Sequence, residues 1–336
     1  MMQSAFLFGP RDLRFVEREP LALGPDDVRI GIACSGICGT DLHIYSGMAF
    51  GPHATEPRPF GHEFAGRVIE IGSNVSTLDV GDRVTAIPNS PCGKCALCRS
   101  GRAPVCQNRV TFRSGSWAAS IVAPAQNVYR LPDAVSDRLG SLTEPLSCAV
   151  RAVDRSGLRS GDRVVVIGAG PIGLFALTVA KASGASSVIV SEPKEYRQAL
   201  AKRLGADHVI NPTEVDLAAA VRDLTDGIGA DVVFEAVGLP KTIEQGIAVA
   251  APGATLVVIG VTDASAQAAF SPQEMFFKEL TIRGTKGPTF AVERAIRWLA
   301  TLDLEPVITH TFPLLQATEA IDLGLTGNAG KILLQP

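Results

Sequence analysis

The sequence lacks a basic start followed by a long apolar core and a small-residue cleavage site. Its opening, MMQSAFLFGPRDLRF, therefore predicts no secretory signal and leaves the cytoplasm as the expected location. Positive charge is not in surplus either: Lys and Arg number 31 against 34 Asp and Glu, a formal net charge of −3. A protein that tracks phosphates needs the opposite balance, so no nucleic-acid partner is expected. Heptads, internal repeats and low-complexity blocks are missing, which excludes a coiled coil, a solenoid and a charged tail. The uncharged stretch Val164 to Ala180 holds Gly168, Gly170, Pro171 and Gly173 and is short for a membrane span. It reads as strand, turn and helix, and no membrane partner is expected.

What remains is the material of an ordinary globular protein, with 46% hydrophobic and 19% charged residues. At 336 residues the chain is too long for one core and suits two domains. From Val28 to about Val128, short apolar runs such as VRIGIACSG, EFAGRVIEIGS and AASIVAPA are broken by Gly, Pro, Asn and Asp, the texture of an irregular β domain. After Leu142 apolar strands alternate with helical stretches: RVVVIG, PIGLFALTVAKASG, SVIVSEP, EYRQALAKRLGA and onward to TLVVIGV. That alternation predicts a parallel sheet with right-handed crossovers. The last fifty residues read as one helix, FAVERAIRWLATL, then mixed short segments ending in GKILLQP that can return to the first domain.

Seven cysteines are unevenly placed. Cys34, Cys38 and Cys148 stand apart, whereas Cys92, Cys95, Cys98 and Cys106 form C-x2-C-x2-C-x7-C. In a cytosolic chain such bunching points to a metal rather than to disulfides. Four thiolates close a tetrahedral zinc site with no exchangeable position, so its work is to fix a loop that has little core of its own. An iron and sulfur cluster also uses four thiolates, but the spacing matches neither ferredoxin pattern.

Two more segments carry ligand chemistry, Gly36-Ile37-Cys38-Gly39-Thr40-Asp41-Leu42-His43 and Gly61-His62-Glu63. Glu144, in LTEPLSCAV where the texture changes, adds a carboxylate that can bind a metal or stand behind it. Thiolate, imidazole and carboxylate are all zinc ligands, and a catalytic zinc needs one open position for a substrate oxygen. Taken singly, Cys38 reads as a small buried residue, His62 as a hydrogen-bonded histidine, and Glu63 and Glu144 as ordinary polar groups. Thr40 alone is a turn residue and His43 a solvated surface histidine.

Gly168-Ala169-Gly170-Pro171-Ile172-Gly173 follows the strand Val164 to Ile167 and opens a helix, the context of a dinucleotide fingerprint. The glycines let backbone N–H groups approach a pyrophosphate, whose charge favours a helix amino terminus. Glu192 ends the next strand, where a carboxylate accepts hydrogen bonds from ribose hydroxyls and repels the extra phosphate of NADP, so NAD is expected. Arg197 can instead pair a 2′-phosphate or stack on adenine, and Lys194 adds positive charge; a solvated helix face is the favoured reading of both. Val237, Gly238, Gly260 and Val261 lie at the ends of later strands.

In this order, GICGTDLH, GHEFAG, the four cysteines, EPLS and GAGPIG resemble the zinc-containing medium-chain dehydrogenases over essentially the whole chain. The resemblance implies a GroES-like catalytic domain, residues 1–147 and 287–336, interrupted by a doubly wound Rossmann NAD domain, 148–286, with the active site in the cleft between them. It implies two zinc ions per chain: a structural one on Cys92, Cys95, Cys98 and Cys106, and a catalytic one on Cys38 and His62. Glu63 would be its third ligand or exchangeable neighbour, and Glu144 sits where relatives place a ligand or near-ligand. By the same resemblance, a proton passes from substrate to Thr40, through the nicotinamide ribose to His43 and on to solvent, while Val237, Gly260 and Val261 line the nicotinamide pocket.

Well-known alcohol dehydrogenases have cysteine at the Glu144 position, and Glu144-Pro145-Leu146-Ser147 looks like the sorbitol dehydrogenase branch. With Tyr45, His53, Phe112 and Trp117 in flanking loops, this implies a polyol substrate. L-threonine and butanediol dehydrogenases share much of the pattern and stand as alternatives. Lys286 can meet a substrate carboxylate or cofactor phosphate, against the stronger reading of a solvated lysine. A nucleotide-binding protein without activity, a zinc-free quinone reductase or a zinc-finger module would not need all of these features together. Relatives are commonly homotetramers or homodimers, so a homo-oligomer is expected.

Overall fold

The computed structural model describes residues 1–48 and 57–336; His53 lies outside the described residues. The chain divides into two compact units. One holds Met1–Ser147, Pro288–Thr326 and Lys331–Pro336, the other Cys148–Gly287 and Gly327–Gly330.

The first unit is built on a seven-stranded sheet. Along its main path run Val128–Arg130, Arg83–Ala86, Glu63–Ile71, Asp27–Gly36, Lys331–Gln335 and Ile308–Pro313, and Ser120–Pro124 pairs with Asp27–Gly36. The strand Asp27–Gly36 alternates as its sequence predicts, with Val28, Ile30, Ile32 and Cys34 facing the core. Beneath it Phe64, Val68, Val84, Ile121 and Ala123 complete an apolar cluster. Gly36 pairs with Glu63 on one side and with Leu333 on the other, so three strand ends meet at one place.

Pro288–Thr326 and Lys331–Pro336 belong to this unit. Its helix Val292–Leu299 buries Val292, Ala295, Ile296 and Leu299, the spacing of one helical face. A second helix, Ala317–Thr326, was not legible among the mixed segments: its buried face is only Ala317, Ala320 and Ile321 over just under three turns.

The second unit is a six-stranded parallel sheet in the order His208–Ile210, Ser187–Ser191, Arg163–Ile167, Ala230–Glu235, Ala250–Val258, Thr281–Gly284. Numbered by sequence this is 3-2-1-4-5-6, the doubly wound order whose ligand site lies at the carboxyl ends of strands one and four. The uncharged stretch around Gly168 resolves into the strand Arg163–Ile167, a glycine turn and the helix Pro171–Ala182, whose residues Gly173 to Ala180 are all buried. Among the described residues no helix is long and apolar enough to cross a membrane.

Gly173 is where that helix touches the glycine turn before it, because a Cβ there would collide with the Gly168 carbonyl. Replacing Gly173 with Ala must move the helix. We expect a loss of about 1–3 kcal/mol in stability from the forced overpacking, read as a lower urea midpoint at unchanged m-value.

Candidate active site

At the place where three strands end, backbone geometry gathers chemistry from distant parts of the chain. Cys38 lies just past Asp27–Gly36 and caps the helix Gly39–Tyr45; its sulfur accepts from the Thr40 N–H at 3.4 Å. His62 and Glu63 sit at the start of Glu63–Ile71, after Gly61, whose φ of +83° is a left-handed conformation that glycine adopts freely. A side chain at Gly61 would also strike Trp117, which is fully buried, packs edge-on against Phe60 at 4.9 Å and donates to the Gly36 carbonyl at 3.3 Å. Gly36 is equally constrained, because a Cβ there would collide with the Glu63 carboxylate.

Metal-ligating atoms of Cys38, His62 and Glu63 all lie within 4.8 Å of one another. Asp41, buried in the first turn of the capped helix, holds the set together. One of its oxygens accepts from the Cys38 N–H at 2.9 Å and the other lies 3.4 Å from His62 Nδ1. The ring's Nε2 is thereby left for a metal, the usual arrangement of a carboxylate behind a ligating histidine. Without a cation, burial opposes a charge on His62, but Asp41 and Cys38 outweigh it and hold the imidazole pKa well above its ordinary value. Metal must displace that proton, so acid favours the empty site.

Lys331 opens the strand Lys331–Gln335 and is almost wholly buried. Its ammonium donates to both oxygens of Glu63, at 2.6 and 2.9 Å, and to the Ile37 carbonyl at 2.9 Å. Glu144 is buried in the first turn of the helix Thr143–Ser156 and adds a negative field at Lys331, but its carboxylate is not part of the three-residue donor set. Thr40 and His43 are half-buried on the helix that Cys38 caps, and burial lowers the His43 pKa.

The four clustered cysteines form a second centre. Sulfur separations are 3.5 Å for Cys95 to Cys98, 3.6 Å for Cys92 to Cys106, 3.7 Å for Cys95 to Cys106 and 3.9 Å for Cys92 to Cys98. A zinc ion bonded to four sulfurs at ~2.3 Å has tetrahedral edges of about 3.8 Å. These distances fit that ion, and all four cysteines are free of disulfides. The Cys98 N–H and neighbouring thiols pull Cys95 down to about 6, while burial and the other cysteines push Cys98 up to about 12. Such a crowd of sulfurs ionises together only around a cation.

In the second unit Gly168, at φ +96°, and Gly170, which caps the helix Pro171–Ala182, leave that helix start bare of side chains. Pro171 takes the first helical position, where its missing N–H costs nothing, and Ile172 follows it. Val237 lies over Gly168, and side chains at Gly238 or Gly260 would strike the opposing backbone, so these strand ends approach closely beside Val261. Glu192 folds back over the turn and accepts from the Ala169 N–H at 2.7 Å and the Lys194 N–H at 2.9 Å.

Four side chains differ from their sequence reading. Arg197 is not on a solvated face: it donates to the Ala329 carbonyl at 3.1 Å, and burial lowers its pKa against the pull of Glu192. Trp117 is not a pocket wall but the floor under the Gly61 turn. Phe112 packs on Phe64 and the core cluster. Tyr45 is buried at the end of its helix, and Lys286 is exposed. Asp41 and Lys331 were missed. Asp41 had a signal in its capping position three residues after Cys38. Lys331 had a fainter one, a charge at the head of the apolar run ILL.

The chain resembles known proteins in both sequence and fold. Residues 24–133 match the alcohol dehydrogenase GroES-like domain and residues 171–301 the zinc-binding dehydrogenase family. An L-threonine 3-dehydrogenase from Pyrococcus horikoshii is 41% identical over 320 residues, 92% of this chain and 91% of that protein. A zinc-binding dehydrogenase structure from Sinorhizobium meliloti, bound to NADP, superposes with a TM-score of 0.92 at 31% identity over 100% of this chain and 99% of the other. A 2R,3R-butanediol dehydrogenase structure from Bacillus subtilis gives 0.91 at 28% identity over 100% of both chains.

Removing the carboxylate behind His62 should weaken one metal centre and spare the other. Asp41→Asn is expected to lower zinc affinity at Cys38 and His62 by roughly 10–100-fold, while the cysteine lobe keeps its ion. Zinc content after dialysis against graded chelator checks this.

Proposed function

The chain belongs to the zinc-dependent medium-chain alcohol dehydrogenases, oxidoreductases acting on CH–OH donors, and from that premise we propose that it oxidises the secondary hydroxyl of L-threonine with NAD. The observation that carries the substrate is the 41% identity to a threonine dehydrogenase along nine-tenths of both chains. The polyol expected from Glu144 becomes the second reading, favoured by the likeness to a dehydrogenase of a vicinal diol.

In this reading Cys38 and His62 hold the catalytic zinc, with Glu63 and Glu144 as carboxylates at hand, and Cys92, Cys95, Cys98 and Cys106 hold the structural one. Zinc, when bound, supplies the Lewis acidity that lets an alcohol ionise at neutral pH, and NAD supplies the hydride acceptor. The rest falls to the chain. Asp41 fixes the tautomer of His62. Thr40 takes the substrate proton. His43, kept neutral by burial at neutral pH, accepts it in turn and returns it to solvent. Gly168, Gly170, Pro171, Ile172 and Gly173 present backbone N–H groups to the pyrophosphate. Glu192, with Arg197 beside it, receives the adenosine ribose and repels a 2′-phosphate, while Val237, Gly260 and Val261 flank the nicotinamide.

A homo-oligomer is also supported. The edge strand Thr281–Gly284 is unpaired on one side among the described residues, and Phe276 and Phe277 before it are 76% and 72% exposed. The reduced thiols that the zinc lobe requires suit a cytoplasmic setting.

The test is NADH formation by zinc-replete protein with L-threonine, polyols and diols, and with NADP in place of NAD. We expect turnover with L-threonine and NAD, lowered at least ~10²-fold in Cys38→Ser. Turnover with polyols alone selects the second reading. Replacing His43 with Gln should cost roughly 10²-fold in kcat and remove the acid limb of the pH profile, which in the native protein is shifted downward by the burial of His43.

A further inference from the structure

Glu235 ends the strand Ala230–Glu235 in the second unit and has no exposed surface. Its Oε1 accepts from the Val237 N–H at 2.9 Å and the Gly238 N–H at 2.8 Å, and the Thr242 hydroxyl lies 2.7 Å away. Its Oε2 is buried without a hydrogen-bond partner among the described residues. The main-chain carbonyl of the same residue accepts from the N–H groups of Ile259 and Gly260, at 2.8 and 3.0 Å. One residue therefore ties together the turns that follow the fourth and fifth strands of the parallel sheet.

Those turns are built for close approach. Gly238 has a φ of +87°, and a Cβ there would strike the Val261 backbone; a Cβ on Gly260 would strike the backbone of Gly238. Val237 lies over Gly168 of the glycine turn, and Val237 and Val261 both expose apolar side chains at this end of the sheet. Apolar walls carried on a fixed backbone suit a flat ring.

Holding the turns does not require a charge. A neutral amide offers the same acceptor, whereas a buried carboxylate with one oxygen unsatisfied costs stability. The groups that reach Oε1 are all neutral, and burial keeps water from screening the carboxylate, so its field extends beyond its own contacts. The nicotinamide ring is positively charged in NAD and neutral once it has accepted a hydride. We propose that Glu235 is a positioning residue that fixes the two turns beside the nicotinamide and, through its buried negative charge, favours binding of the oxidised cofactor over the reduced one. The inference rests on the reading that Val237, Gly260 and Val261 flank the nicotinamide. It adds a residue that discriminates between the two redox states of the ring.

The experiment measures dissociation constants of NAD, NADH and ADP-ribose, which has no nicotinamide, for the full zinc-loaded chain. In Glu235→Gln the constant for NAD should rise roughly 10-fold, while those for NADH and ADP-ribose move less than about 2-fold. Thr242→Val, which removes the hydroxyl and keeps the charge, should leave the ratio of NAD to NADH constants at its native value. A ratio unchanged in Glu235→Gln, or shifted as far in Thr242→Val, overturns the proposal. If Glu235→Gln does not fold, Glu235→Ala decides by the same ratio; failure of both to fold makes the carboxylate a structural clamp alone and also overturns it. Val237→Trp tests the placement of the ring separately, and should weaken NAD and NADH while sparing ADP-ribose. Native binding of all three by that variant would overturn the placement, and the proposal with it.

Discussion

Glu63 and Lys331 meet at 2.6 Å with side chains almost wholly buried, and this contact ties the carboxyl-terminal strand to the metal-ligand cluster of the first unit. Two charges taken out of solvent are costly, and their attraction offsets the cost only if the remaining hydrogen bonds are satisfied. Here they are, through the Ile37 carbonyl and the second carboxylate oxygen. Removing one partner from such a pair costs about 3–5 kcal/mol, because the other is left charged and buried. The pair joins residues 268 apart in sequence, so the carboxyl-terminal strand is tied to the site.

From that tie the rest of the site follows. Pairing of Gly36 with Glu63 and Leu333 fixes the ends of three strands, and Cys38 emerges just beyond them as the cap of a short helix. Asp41 then faces back on both the Cys38 backbone and His62. Trp117, under Gly61, supports the turn that presents His62. The cysteine lobe stands on different physics. Its sulfurs approach one another at 3.5 to 3.9 Å, and the lobe contributes little apolar burial of its own, with Cys92, Cys95 and Cys98 all partly exposed.

Much of this could be read from residue order because the chemistry is local. C-x2-C-x2-C-x7-C and GAGPIG are each complete within about fifteen residues, and their spacing alone constrains what they can hold. The alternation of apolar strand and helix after Leu142 likewise announced the parallel sheet. What stayed hidden depends on pairing between distant segments. Nothing near Lys331 says that it faces Glu63, and Trp117 reads as a pocket-flanking loop residue and Arg197 as a solvated one until the strands and helices beside them close. Helix Ala317–Thr326 was obscured for another reason, since three small or branched residues make too short an apolar stripe to be distinguished from a loop. Substrate choice is the least local property of all: Glu144 is one residue, whereas the likeness to an L-threonine 3-dehydrogenase runs along 92% of the chain.

The central claim is that Cys38 and His62 form a metal centre separate from the cysteine lobe. Anomalous diffraction at the zinc absorption edge, from crystals of the zinc-replete protein, addresses it directly. The account predicts two peaks per chain, one enclosed by Cys92, Cys95, Cys98 and Cys106 and one between Cys38 and His62 with Glu63 turned toward Lys331. A single peak confined to the cysteine lobe would contradict it.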